Sequence, residues 1–119
     1  MPYNKKMKRY LGKKRALKIY IDSTDTFKGK PLWEELLKRV KSANLAGATV
    51  TKAVAGIGAN TQLHTFEIWS LSQKLPLIIE IIDDGPKLEK FLEENDYMIE
   101  EALVTISDVE VLRYKKREL

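Results

Sequence analysis

The sequence predicts one α+β domain of the split βαβ, ferredoxin-like kind, in which an antiparallel sheet carries two helices on one face. Three observations lead there. Residues 16–22 alternate apolar and polar, two amphipathic stretches each open on a proline, Pro31 and Pro86, and an aliphatic run, Leu77 to Ile82, lies between them. The implied order of strand, helix, strand, strand, helix, strand makes two right-handed crossover units. A chain of 119 residues is long enough for one hydrophobic core.

The first strand, Ala16 to Asp22, turns Leu17, Ile19 and Ile21 to one face and Lys18, Tyr20 and Asp22 to the other. A polar loop from Ser23 to Lys30 follows, and Pro31, with fixed φ and no N–H, suits the first turn of a helix. In that helix Leu32, Trp33, Leu36, Leu37, Val40 and Ala43 recur at three- and four-residue spacing and form one stripe. Asn44 and Gly47 tolerate the left-handed backbone that ends helices. Ala48 to Ala55, rich in β-branched and small residues, reads as a second strand ending at Gly56. The stretch from Gly56 to Leu75 is longer than a plain connection, which points to function or mobility. Within it Phe66, Ile68, Trp69 and Leu71 fit either a helical turn or added strand.

Leu77 to Ile82 reads as a central strand covered on at least one face. Its Glu80 either points to solvent or a cleft, or pairs with a lysine or arginine across a subunit interface, because a lone buried carboxylate is costly. Asp83 and Asp84 are placed to cap the second helix, in which Leu88, Phe91, Leu92 and Met98 or Ile99 face inward. The last strand runs from Leu103 to Ile106, kinks at Ser107–Asp108 and resumes from Val109 to Tyr114.

Composition removes several classes of chemistry. With no cysteine, disulfides, thiolate metal sites and cysteine nucleophiles are excluded. The longest apolar stretch falls far short of the roughly 20 residues needed to cross a bilayer, and no apolar segment of a secretory signal follows the basic N-terminus, so a cytoplasmic location is expected. The net charge of +4 hides an asymmetry: residues 1–18 hold eight Lys/Arg and no acid, leaving 13 basic against 17 acidic residues. The chain therefore divides into a basic arm at 1–15, the domain at 16–115 and a charged tail at 116–119.

Beyond pattern, Gly47-Ala48-Thr49-Val50-Thr51, then Ala55-Gly56-Ile57-Gly58, Leu75 to Asp84, and the close from Val104 to Lys115 together resemble the PII signal-transduction family. With Lys28 to Leu32 and Gly58 to His64, the chain is similar to a PII-like subfamily of undefined function in bacteria and archaea. The resemblance implies a homotrimer with an adenine nucleotide held in clefts between subunits beneath a long loop. It places Thr49 and the backbone near Ile82 at the base, Gly56, Ile57, Gly58 and Ala59 at the foot of the loop, and Arg113 and Lys115 at phosphate. Two departures are visible. The Gly47 to Gly56 spacing is one residue longer than in PII, which implies a bulge. The glycine-rich phosphate loop before the last strand has no counterpart, since Glu93 to Ala102 is acidic and lacks glycine. Repulsion there favours AMP or ADP over ATP.

Gly56-Ile57-Gly58 alone is weak, because paired glycines after a strand serve turns more often than phosphate cradles. His64, the one histidine, fits a ligand contact, a loop-ordering hydrogen bond or plain packing, and no ordinary zinc set forms around it. Neither it nor its neighbours have the spacing of a catalytic triad, so no enzyme is predicted and no cofactor is needed beyond the nucleotide effector. The expected role is a regulator whose 56–75 loop signals ligand state to a protein partner, with a membrane transporter or channel among the candidates. A nucleic-acid module using the basic arm is the first alternative. It is disfavoured because Ala48 to Ala55 and Leu77 to Ile82 lack the paired aromatics of RNA-binding sheets. A metal-handling trimer is the second, disfavoured by the single histidine and absent cysteine.

Overall fold

The computed structural model describes residues 10–54 and 75–114. Strand β1 spans Gly12–Asp22, starting four residues before the alternation that predicts it. The extension comes from pairing with strand β6, Leu103–Val111, in a ladder that runs from Tyr20↔Leu103 to Gly12↔Val111. Lys13, Lys14 and Arg15, assigned to the basic arm by composition, thus lie within the sheet. Charge hides their strand character, because the ladder supplies their backbone partners while the heads of Lys14 and Arg15 reach carboxylates at the sheet margin. Lys14 Nζ lies 2.6 Å from Asp84 and Arg15 Nε 2.9 Å from Asp108.

That second pair also corrects the expected kink. Ser107 and Asp108 pair with Ala16 and Arg15 without interruption, so β6 is continuous. Between β1 and helix α1, Leu32–Ser42, a two-residue ribbon forms from β2, Thr26–Phe27, and β3, Lys30–Pro31. Pro31 sits just before the helix, with Glu34 and Glu35 in the first turn and Arg39 and Lys41 in the last, matching the helix dipole. The helix ends as Leu45 N–H reaches back to the Val40 carbonyl and Asn44 takes φ 56°.

Strand β4 spans Ala48–Lys52, ending two residues before the described limit at Val54, with the expected end at Ala55 outside the described residues, and over Ala48–Lys52 its register against β5, Pro76–Asp83, holds no bulge. Helix α2, Gly85–Asn95, opens on Pro86 and passes into a 3-10 turn at Asp96–Met98. The sheet order is β4-β5-β1-β6 with every pair antiparallel, the split βαβ arrangement the sequence predicts.

One sheet face, Leu17, Ile19, Ile21, Leu77, Ile79 and Ile81, packs beneath Leu32, Leu36 and Val40 of α1 and Leu88 and Phe91 of α2, with Met98 closing the end. Each such side chain contributes about 1.5–3 kcal/mol on burial. Buried Asn95 joins the helices: its Nδ2 donates to the Phe91 carbonyl at 2.7 Å and its Oδ1 accepts from Arg39 at 3.4 Å. The other sheet face carries no helix among the described residues. Cross-strand register places Tyr20, Ile78, Leu103 and Val109 there, beside Lys18, Glu80, Thr49 and Thr105.

Candidate functional site

The open face ends in a cleft of about 370 Å³, formed where β1 and β4 begin and where β5 and β6 end. Its shape depends on the turn between α1 and β4. Asp83, 3% exposed, accepts the Ala46 N–H on Oδ2 at 2.9 Å and the Asp84 N–H on Oδ1 at 2.7 Å. Two backbone donors make the buried carboxylate tolerable. The bonds hold Ala46 beside the end of β5, and Gly47, at φ 146°, turns the chain into β4. Ala48 and Thr49 then line one wall.

This arrangement corrects the expected capping role of the aspartate pair. Asp84 occupies the position before α2 but makes no side-chain cap hydrogen bond, and its carboxylate instead accepts from Lys14 Nζ. Asp83 supports the turn at the cleft.

Ile82, Ala48 and Val111 give the cleft apolar surface, while Thr49, Glu80 and Lys14 add polar groups. Thr49 lies directly opposite Glu80, and Glu80 opposite Lys18, so these side chains share a row across the open face. Glu80 finds a cation within its own chain, Lys18 Nζ at 3.8 Å, a long and half-exposed pairing. Tyr10 and Tyr114, flanking the paired ends of β1 and β6, also line the cleft, with ring centroids 4.7 Å apart.

Of the expected nucleotide-site residues, Thr49 and Ile82 meet in this cleft. Arg113 is exposed and does not line it within one chain. Gly56, Ile57, Gly58, Ala59, His64 and Lys115 lie outside the described residues, as do Trp69 and most of the 56–75 loop. The loop's attachment points are described, however. Ala53 N–H donates to the Pro76 carbonyl at 2.8 Å, Ser23 N–H to the Leu75 carbonyl at 2.8 Å and Leu75 N–H to Ser23 Oγ at 2.9 Å. They sit at the far end of β4 and β5 from the cleft.

The acidic stretch Glu93 to Ala102 also lies far from the cleft. It precedes Leu103, eight residues from Val111 along β6, or roughly 26 Å at strand rise. Its charge therefore does not face the cleft of its own chain. Sequence reasoning does not assign Tyr10, Lys14, Asp83 and Tyr114 to the site. The signal that locates them is register: once Gly12 is opposite Val111, both tyrosines and Lys14 fall at one end of the sheet.

Among the described residues no three His, Cys, Asp or Glu side chains gather as a metal site, and no helix is long and apolar enough to cross a membrane.

The family model DUF190, Uncharacterized ACR, COG1993, matches residues 14–111. A UPF0166 protein of Aquifex aeolicus is 39% identical over 100 residues, covering 84% of this chain and 94% of that protein. UPF0166 protein MJ1524 of Methanocaldococcus jannaschii is 32% identical over 102 residues, covering 85% and 94%. Among solved structures, CPII bound to ADP and bicarbonate, from Thiomonas intermedia K12, superposes with a TM-score of 0.63 at 16% identity, over 85% of this chain and 90% of that one. TTHA0516 from Thermus thermophilus, described as PII-like and signaling, gives 0.61 at 19% identity, over 85% and 91%. With a family match over most of its length and a fold shared with PII-like structures, the chain belongs to the DUF190 (UPF0166) family.

Proposed function

We propose that this protein is a PII-like regulator that binds an adenine nucleotide, AMP or ADP in preference to ATP, and passes ligand state to a partner protein through the 56–75 loop. The observation that carries the reading is the meeting of Thr49 and Ile82 with Glu80 in one cleft at the end of an uncovered sheet face. Apolar walls suit a flat base, and Glu80 and Thr49 supply acceptors for its amino group. The CPII structures of the same fold are described as bound to ADP, AMP and bicarbonate, which supports the ligand class.

The preference for fewer phosphates rests on the cleft itself. Among the described residues its lining holds two carboxylates, Glu80 and Asp83, against one cation, Lys14, a balance that directs phosphate groups outward. In this reading the base enters the cleft and the phosphates run along the open edge of β4 toward exposed Lys52 and the foot of the loop, Gly56 to Ala59. His64 lies within that loop. Arg113 and Lys115 reach the phosphates from a neighbouring subunit.

A homotrimer built on the uncovered face completes the site. Tyr20, Ile78 and Val109 are only partly covered there and Leu103 is 61% exposed, an apolar surface of the kind that marks association. The assembly acts in the cytoplasm on an unidentified protein, a transporter or channel being among the candidates, without catalysis.

Thermal unfolding with AMP, ADP and ATP tests the ligand, and light scattering tests the assembly. A ligand at 100 times its Kd raises stability by about 2.7 kcal/mol. Stabilisation by AMP and ADP from a trimeric species is expected. Indifference to all three nucleotides, tighter binding of ATP than AMP, or a monomer in solution overturns the reading.

A further inference from the structure

Two aromatic rings from opposite ends of the chain meet at one wall of the cleft. Tyr10 precedes β1 and Tyr114 follows β6, and the ladder that ends at Gly12↔Val111 brings them together with ring planes inclined by 41°. Both rings are half-buried and both line the cleft, which also holds Ile82, Ala48 and Val111. The inclination prevents either ring from covering the whole face of the other. Among the described residues the two rings share the cleft lining with the Thr49 and Glu80 acceptors.

We propose that Tyr10 and Tyr114 form the stacking wall for the ligand's heterocyclic base. The inference rests on the nucleotide reading above and adds the residues that hold the base plane. A flat conjugated ring on this wall keeps its edge free to meet Glu80 and Thr49, which selects a base with an exocyclic amino group over a plain apolar ligand. Because the lining carboxylates direct phosphates outward, the tyrosines serve the base and not the phosphate. Their contribution is then the same for a nucleoside and for its nucleotides.

The test measures binding of adenosine, AMP, ADP and ribose 5-phosphate to the full chain, to Tyr10→Ala and Tyr114→Ala, and to the phenylalanine variants of each. The alanine variants should bind adenosine, AMP and ADP about tenfold more weakly, all to a similar extent, as expected for loss of a base stack. The phenylalanine variants, which keep the ring, should restore binding to within about twofold. Unchanged AMP affinity in both alanine variants overturns the assignment. A loss confined to AMP and ADP, with adenosine unaffected, also overturns it, because it reports a phosphate contact.

Should the alanine variants fail to fold, Tyr114→Trp keeps a ring in place and its emission should change on saturation with AMP, against the Trp33 and Trp69 background of the unchanged chain. No change attributable to position 114 at saturating AMP sinks the assignment while leaving nucleotide binding intact. If the full chain binds neither adenosine nor any nucleotide, the functional reading fails first and this inference falls with it.

Discussion

The carboxylate of Asp83 accepts the backbone N–H of Ala46 at 2.9 Å, joining the end of β5 to the turn that begins β4. The same side chain accepts the Asp84 N–H, so one buried group holds both backbone segments that frame the cleft. Asp83→Ala strands two donors in a poorly hydrated place and should cost about 2–4 kcal/mol. Chemical denaturation checks this. Asp83→Asn keeps one acceptor and should fall between the parent and the alanine variant.

Lys14 is the second support at this end of the sheet. Its side chain is 10% exposed and its Nζ lies 2.6 Å from Asp84. Lys14→Met retains most of the apolar stem and leaves the carboxylate of Asp84, 41% exposed, to water, so the stability loss should be modest, about 1 kcal/mol. If Lys14 acts only through Asp84, the double variant Lys14→Met/Asp84→Asn should be no worse than the more damaging of the two singles, well short of their sum, and a double-mutant cycle measures the coupling.

Phe91 is the largest fully enclosed side chain on α2 and packs between both helices and the sheet. Phe91→Ala should cost about 3–5 kcal/mol, a large part of the roughly 5–15 kcal/mol that holds a domain folded. A strongly lowered unfolding midpoint is expected, with Phe91→Leu recovering most of the difference.

Glu35 supplies a pH-dependent contact on α1. A hydrogen bond from Lys38 holds its carboxyl below the ordinary value of 4.5, with the charges of Lys38, Lys30 and Arg39 acting in the same direction and desolvation opposing them. A depressed folded-state value stabilises the fold above the ordinary carboxylate range. That stabilisation is lost as pH falls through the lowered value. Glu35→Gln should flatten a small part of the acid limb of a stability-against-pH curve and leave its slope near neutrality unchanged.

The uncovered face offers a direct test of assembly. Ile78 lies on β5 between Tyr20 of β1 and Thr51 of β4. Ile78→Glu should convert an oligomer to a monomer in light scattering and leave the helical circular-dichroism signal intact, because Ile78 faces away from both helices. An unchanged mass would show that this face is not the interface.

The periodic elements are legible in the sequence for plain reasons. Leu32, Leu36 and Val40 recur at helical spacing, Leu17, Ile19 and Ile21 alternate, and Pro31 and Pro86 mark helix starts. What escapes is set by contacts between distant segments. Gly12 to Arg15 look like a solvated basic arm until β6 supplies their backbone partners, and Ser107–Asp108 look like a break until Arg15 comes opposite. At the site, Thr49 and Ile82 are legible from motif, while Tyr10 and Tyr114 become neighbours only through a ladder joining residues about a hundred positions apart. The role of Asp83 is hidden because a carboxylate before a helix usually caps it, and here a nearby turn competes for the same oxygens.

The Gly12↔Val111 closure has an engineering consequence. Since Tyr10 and Tyr114 touch, a short linker in place of the residues outside them would fuse the chain into a ring at little entropic cost, and new ends could be opened elsewhere. Conversely, a reporter attached at either of these two positions starts from the same corner of the sheet, so donor and acceptor dyes placed one on each begin close enough for efficient energy transfer.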